Sequence, residues 1–366
     1  MPKPVLDRRT LNRTLLARQG LLRREPRAVA GTIEHVVGMQ SQVPRDPFVA
    51  LWSRIEGFDP AELDRLMNER KAVRTGLMRT TLHLVTASDA LAMQPLFAPV
   101  LARVLQSQRA FRTGLAGLDL GELATVGAEL LSSHPMTAGQ LRPLLAERWP
   151  DRDPSVLMMG IRYLVPIVQV PPRGLWRGTS QPTLTSLRAW LGRPADSQPV
   201  IGALLLRYLA AFGPASVPDM RTWSWLTGLA EVVDGLRGQL RSYRSEGGRE
   251  LLDLADGQIV DAEVPAPPRF LPEYDNLFLS HDDRSRIEGS WYPQDRYSRG
   301  KLFVDGFLTG GWRVDVKQRT TARLTVDLFR RLRAEEGSAV DVEAEALLRF
   351  LAPDADVRSV DVAVLE

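Results

Sequence analysis

The sequence contains no cysteine, which excludes disulfides, cysteine nucleophiles, thiolate zinc sites and iron–sulfur clusters. Its four histidines, His35, His83, His134 and His281, are scattered and lack the paired spacing of a metal site. No GxGxxG turn, GxxxxGK phosphate loop or GxSxG elbow is present, so chemistry based on common cofactors is disfavoured and neither cofactor nor metal is expected. No uninterrupted apolar run approaches the roughly 18 residues of a membrane span, and the opening MPKPVLDRRT lacks the apolar core of a signal peptide. These absences read as a cytoplasmic protein. Lysine is nearly missing as well, occurring only at Lys3, Lys71, Lys301 and Lys317, so the basic side is almost all arginine. Arginine's planar fork suits phosphate, although a GC-rich genome produces the same bias, and a net charge of +3 does not by itself demand nucleic acid.

What is present is ample apolar material: 366 residues, 44% hydrophobic, enough for two or three globular units. Leucines at 11, 15, 16, 21 and 22 recur at helical spacing from Asp7 to about Arg24, with Asp7 as a cap. A second helix is predicted from Val29 to about Met39, a third from Phe48 to Ile55, and a fourth from Asp59 to Arg70. MRTTLHLVT at 78 to 86 reads as strand. Helices followed by strands is the layout of a winged helix, and it recurs in looser form. HPMTAGQLRPLLAERW at 134 to 149 predicts a Thr-capped helix, IRYLVPIVQVPPRGLWRG at 161 to 178 a strand running into a wing tip, and residues 200 to 229 a helix, a Phe-Gly-Pro break, a helix capped by Ser216 and a third starting near Arg221. From about Pro265 strand-like runs dominate, with Asp305-Gly306 as a hairpin turn, and the closing helices are expected within 323 to 334 and 340 to 352. The fold class is therefore α+β with a β-rich end.

Three stretches carry candidate chemistry. In GMQSQVPRDPFVALWSRI at 38 to 55, Gln40 and Gln42 would point apart on a helix but share a side on extended chain. Pro44 pushes Val43 out of the helical region, so both amides could turn toward one pocket. Thr81 and His83 alternate with leucines on a strand, and His83 lies on the face away from them, toward solvent or a cleft. LPEYDNLFLSHDDRSRI at 271 to 287 gathers Asp275, Asn276, His281 and Arg284 into a ligand site or a salt-bridged turn.

Together with LNRTLLARQGLL at 11 to 22, RTTLHLVTASDAL at 79 to 91 and RYLAAFGPAS at 207 to 216, these stretches resemble the AlkZ-like winged-helix DNA glycosylases, in the same order across nearly the whole chain. The resemblance implies three tandem winged-helix units, at 1–115, 116–195 and 196–264, forming a concave DNA-binding channel, with a β-rich region at 265–366. It implies action on double-stranded DNA carrying N7-alkylated purines, interstrand crosslinks included, in repair or antibiotic self-resistance. The family's catalytic signature of glutamine, aliphatic residue, glutamine falls on Gln40, Ser41 and Gln42, with serine in place of the usual apolar residue. An N7-alkylated guanine is already a cationic leaving group, so a neutral amide can suffice by orienting water and turning its dipole toward the developing sugar cation. With no lysine near the motif to form a Schiff base, the reaction should be monofunctional. Arg173 and Arg177 on the wing at 171 to 178 are candidate phosphate contacts, Arg45 is a candidate DNA or substrate contact, and the hairpin near 305 to 311 is a second candidate grip. A monomer suffices for one-lesion chemistry. The rival readings are a winged-helix transcriptional regulator and a lesion-binding protein without catalysis.

Overall fold

A computed structural model describes residues 3–289, 299–317 and 320–365. It is an α+β molecule with three sheets. The helix Arg8–Arg18 starts where Asp7 accepts a hydrogen bond from the Thr10 backbone N–H. It stops well before the expected Arg24, because the Gly20 and Leu21 N–H groups wrap back to the Ala17 and Leu16 carbonyls, a closing turn that buries Leu21. The helix Val29–His35 likewise ends short of Met39. Val37 and Gly38 both take positive φ, and a Cβ on Gly38 would lie 2.5 Å from Val85 Cγ1, so the chain reverses there into the short strand Met39–Gln40.

That strand begins a six-stranded antiparallel sheet whose order is Met39–Gln40, Leu82–Thr86, Ala72–Gly76, Ile167–Val170, Thr183–Ser186 and Met136–Thr137. Pairing of Arg74 with Gln169 and Thr75 with Val168 joins strands about 90 residues apart into one surface. The long helix Ala87–Ser107 and the helix Pro154–Leu164 border it. Residues 161–164 thus finish a helix where strand was expected. Their Ile161 packs one helical turn beyond Leu157 in the same core, and the strand itself is confined to Ile167–Val170. Met78–Thr80 is a tight 3₁₀ turn ahead of the strand that completes the 78 to 86 run.

The helix Ile201–Phe212, the break at Gly213-Pro214 and the Ser216-capped helix Val217–Ser224 match the sequence, but Arg221 lies inside that second helix and the third is Leu229–Leu236. Strands Leu240–Ser245 and Glu250–Leu254 form a small sheet with the N-terminal Val5–Leu6. The C-terminal sheet runs Arg269–Leu271, Gly300–Val304, Phe307–Lys317, Thr321–Leu328, Val357–Val364. The helix Ala334–Leu351 packs on it, and Val49 of the helix Asp46–Arg54 joins the same core. The helix expected within 323 to 334 is strand up to Leu328, since Ala322, Leu324, Val326 and Leu328 are all buried at period two. Among the described residues no helix is long and apolar enough to cross a membrane.

Candidate active site

The Gly38 reversal aims the glutamines. The Gly38 carbonyl accepts a hydrogen bond from Asn276 Nδ2 at 2.6 Å, and the strand that follows pairs Gln40 with His83 and leads into a Ser41 N–H bond to the Leu82 carbonyl. Gln40 is 5% exposed, whereas Gln42 lies on the surface where the chain leaves the sheet. Their amides meet: Gln40 Nε2 donates to Gln42 Oε1 at 3.2 Å.

Behind the pair stands a cation that sequence patterning did not single out. Arg79 Nη2 donates to Gln40 Oε1 at 3.1 Å, and Nη1 donates to the Trp223 carbonyl. Its side chain is buried, no carboxylate pairs with it among the described residues, and burial pushes its pKa down to about 10, so it stays charged at neutral pH. The backbone of Arg79 and Thr80 holds positive φ at 54° and 57°, a conformation that side-chain-bearing residues keep only where the surroundings enforce it. The signal available in the sequence was an arginine directly after Leu77 and Met78, at the head of the strand-like run.

His83, expected on a face open to solvent or cleft, is fully buried against this arginine. Its Nδ1 lies 3.0 Å from the Thr81 carbonyl and so carries the proton, leaving Nε2 as an acceptor 3.5 Å from Arg79 Nη2. Burial and the neighbouring guanidinium push its pKa down to about 3, which keeps the ring neutral. Donation thus runs in one direction, from Arg79 through Gln40 to Gln42, and leaves the far lone pair and the N–H groups of Gln42 at the surface.

Ser41 has a partner of its own. It is fully buried, its hydroxyl accepts from Arg74 Nε at 2.8 Å, and its carbonyl accepts from Arg74 Nη2 at 2.7 Å. Arg74 Nη1 reaches on to the Arg173 carbonyl at 3.4 Å, tying the motif to the 171 to 178 loop. A serine where an aliphatic residue is usual is matched here by a buried arginine.

Two hollows flank the motif. One, about 370 Å³, is lined by Gln42, Thr81, Arg162 and Tyr163 among others. The other, about 340 Å³, takes in Val43, Arg45, Trp176, Arg177 and Thr179. Arg45 lies over the Trp176 ring at 5.9 Å, and exposed Arg177 pairs with exposed Asp354, a surface contact that a phosphate can replace. Arg173 donates within the loop to the Ser180 carbonyl at 2.8 Å.

The 271 to 287 run is built mostly inward. Asp275 makes two 2.8 Å bonds to Arg54, with both side chains nearly inaccessible. His281 is buried between Ser280 Oγ and the Phe212 carbonyl, while Arg284 stays at the surface over Phe278. The hairpin turn at Asp305-Gly306 is also occupied: Asp305 pairs with Arg9 and Arg13 of the first helix, so the turn faces protein. Among the described residues no cluster of three or more potential ligands could hold a metal ion.

No match was found among curated protein sequences. In three dimensions the chain is similar to the Streptomyces sahachiroi DNA glycosylase AlkZ, with a TM-score of 0.77 at 18% identity over 99% of this chain and 100% of that one, a likeness of fold. The model of the family described as DNA glycosylase AlkZ-like matches residues 33–350. A match over that span shows that the chain belongs to the AlkZ-like DNA glycosylase family and is a hydrolase acting on N-glycosyl bonds in DNA.

Proposed function

We propose that this glycosylase removes N7-alkylated purines, bulky or crosslinked ones included, with Gln40 and Gln42 as its catalytic residues. The observation that carries the reading is the hydrogen-bonded glutamine pair at the mouth of a cleft, polarised from behind by a buried cation. Gln42 Oε1 already accepts one bond from Gln40, and its remaining lone pair can hold a water or face the developing sugar cation. An amide does not take up a proton near neutral pH, so it positions rather than deprotonates the nucleophile. That suffices only for a base that leaves readily, which limits the substrate to cationic lesions and leaves an abasic site as the product.

Three winged-helix units, with divisions near 115, 195 and 264 and the β-rich region beyond, would form a concave channel for duplex DNA, and one copy suffices. Arg45, Arg177 and Thr81 border the two hollows beside the motif and are proposed to contact DNA or substrate directly, with Arg284 and Arg173 on the outer face. His83 and Asn276 are proposed to act from within by holding Arg79 and the Gly38 turn in place, and Asp275 and His281 by fixing the 271 to 287 run against Arg54 and the Phe212 carbonyl.

The test is base release from duplexes carrying N7-alkylguanine adducts of graded size. Gln40→Ala and Gln42→Ala should each slow release at least about tenfold, a barrier change of about 1.4 kcal/mol, with DNA binding retained. Equal rates in wild type and both variants would remove the catalytic assignment, and release of unmodified bases would remove the mechanism.

A further inference from the structure

The cleft beside Gln42 has polar groups that the catalytic pair leaves unused. Gln169 on the strand Ile167–Val170 and Gln94 on the helix Ala87–Ser107 both line it. They are 8% and 4% exposed, and neither carboxamide has a hydrogen-bond partner among the described residues; Gln169 Oε1 is a buried acceptor left unpaired. Buried side-chain amides are ordinarily paired, and a leucine would fill either place without the cost of an unmet acceptor. Both amides line one hollow without a protein partner, and a half-turn of the Gln169 carboxamide brings its enclosed oxygen round to that space.

The rest of the cleft suits a flat group. Gly76 lies on the same sheet face as Arg74, the residue that pairs with Gln169, and a Cβ built on Gly76 meets nothing within 4 Å. The floor is therefore open. Tyr163 on the helix Pro154–Leu164 adds an aromatic wall, Arg162 beside it is exposed and able to meet backbone phosphate, and Gln42 borders the same space. A volume of about 370 Å³ lies within the range of pockets that hold small molecules. The edge of a purine carries both donors and acceptors, and each carboxamide offers two donors and one acceptor to match it.

We infer that this cleft receives the alkylated base and that Gln169 and Gln94 bond its hydrogen-bonding edge, as specificity residues distinct from the catalytic pair. This rests on the glycosylase reading of Gln40 and Gln42, and the experiment separates the two. Single-turnover release of 7-methylguanine and binding to a duplex with a ready-made abasic site are measured for wild type, Gln42→Ala, Gln169→Leu, Gln94→Leu and Gly76→Leu.

Gln169→Leu and Gln94→Leu should each slow release about tenfold or more, the range for a lost base-edge contact, while binding the abasic duplex as wild type does, because no base is there to be read. Gln169→Leu should melt at or above the wild-type temperature, having lost an unpaired acceptor. Gly76→Leu fills the floor without a strained backbone and should block release on its own, so the inference stays testable if a glutamine variant fails to fold. Wild-type release rates in Gln169→Leu, Gln94→Leu and Gly76→Leu, with Gln42→Ala inactive, would overturn the inference and leave the catalytic reading standing. Absence of release by the wild type would overturn both.

Discussion

A guanidinium buried away from any carboxylate carries a desolvation penalty that packing alone does not offset. Arg79 bears that penalty in order to hold Gln40, and neutral His83 accepts from it without adding a second charge. Arg79→Ala should therefore lower the rate of base release at saturating substrate about tenfold or more, with a smaller change in KM, because the orientation of the amides is lost and the DNA surface is not. Arg79→Lys should recover part of the rate. Unchanged single-turnover rates in both variants would reduce Arg79 to a packing residue. A second unusual charge lies at the start of the helix Asp46–Arg54. Burial pushes the Asp46 carboxyl up to about 7 from an ordinary 3.8, against a lowering bond from the Tyr274 N–H, and its Oδ2 has no partner. The folded chain then binds this proton more tightly than the unfolded chain, so the associated stability is full below about pH 4 and is lost as pH rises through about 7. Asp46→Asn should stabilise the protein at pH 8, by up to about 4 kcal/mol, and change little at pH 4. Denaturant melts at the two pH values decide it, and an equal difference at both would show that folding leaves the Asp46 pKa unshifted.

At the level of elements, the turn Asp305-Gly306 shows how a local motif is put to a different use by its surroundings. The dipeptide takes φ of 50° and 80°, as a two-residue hairpin turn requires. It then presses on the first helix, where a Cβ on Gly306 would come within 2.3 Å of Asn12 Oδ1 and 2.6 Å of Arg13 Nη1. Gly306→Ala combines an unfavourable φ with a clash and should cost about 1–3 kcal/mol, seen as a lower melting temperature, with activity per folded molecule retained. A neutral effect would mean that the hairpin is free of the helix and available to grip DNA. The loop at 171 to 178 is held differently, by Arg74, which donates to both the Ser41 carbonyl and the Arg173 carbonyl and so ties the glutamine stretch to this loop. Period-two burial identified the strands and helical spacing the helices. Two misplacements, at 161 to 164 and 323 to 328, fell where both patterns fit and the neighbouring core chose between them, whereas the helices that end early at Arg18 and His35 were cut by local turns.

For the whole molecule, DNA binding should follow the arginines rather than the net charge of +3. If Arg45 and Arg177 each meet a phosphate, replacing both with alanine should reduce the slope of log affinity against log salt by roughly 0.9 per contact, without changing the rate of bound complexes. An unchanged slope would place the DNA elsewhere on the surface. What the sequence determined alone was local: the Asp7, Thr137 and Ser216 caps, the hairpin turn, and the order of motifs that resembles one family. These features depend on residues a few positions apart, whose backbone preferences act whatever the rest of the chain does. Tertiary structure alone decided the setting of the glutamines. Arg79 reaches Trp223 across 144 positions, Asn276 reaches Gly38 across 238, and Gln169 joins the cleft through pairing with Arg74. No local preference encodes such contacts, because each depends on which distant apolar surfaces are buried against one another when the sheets and helices pack.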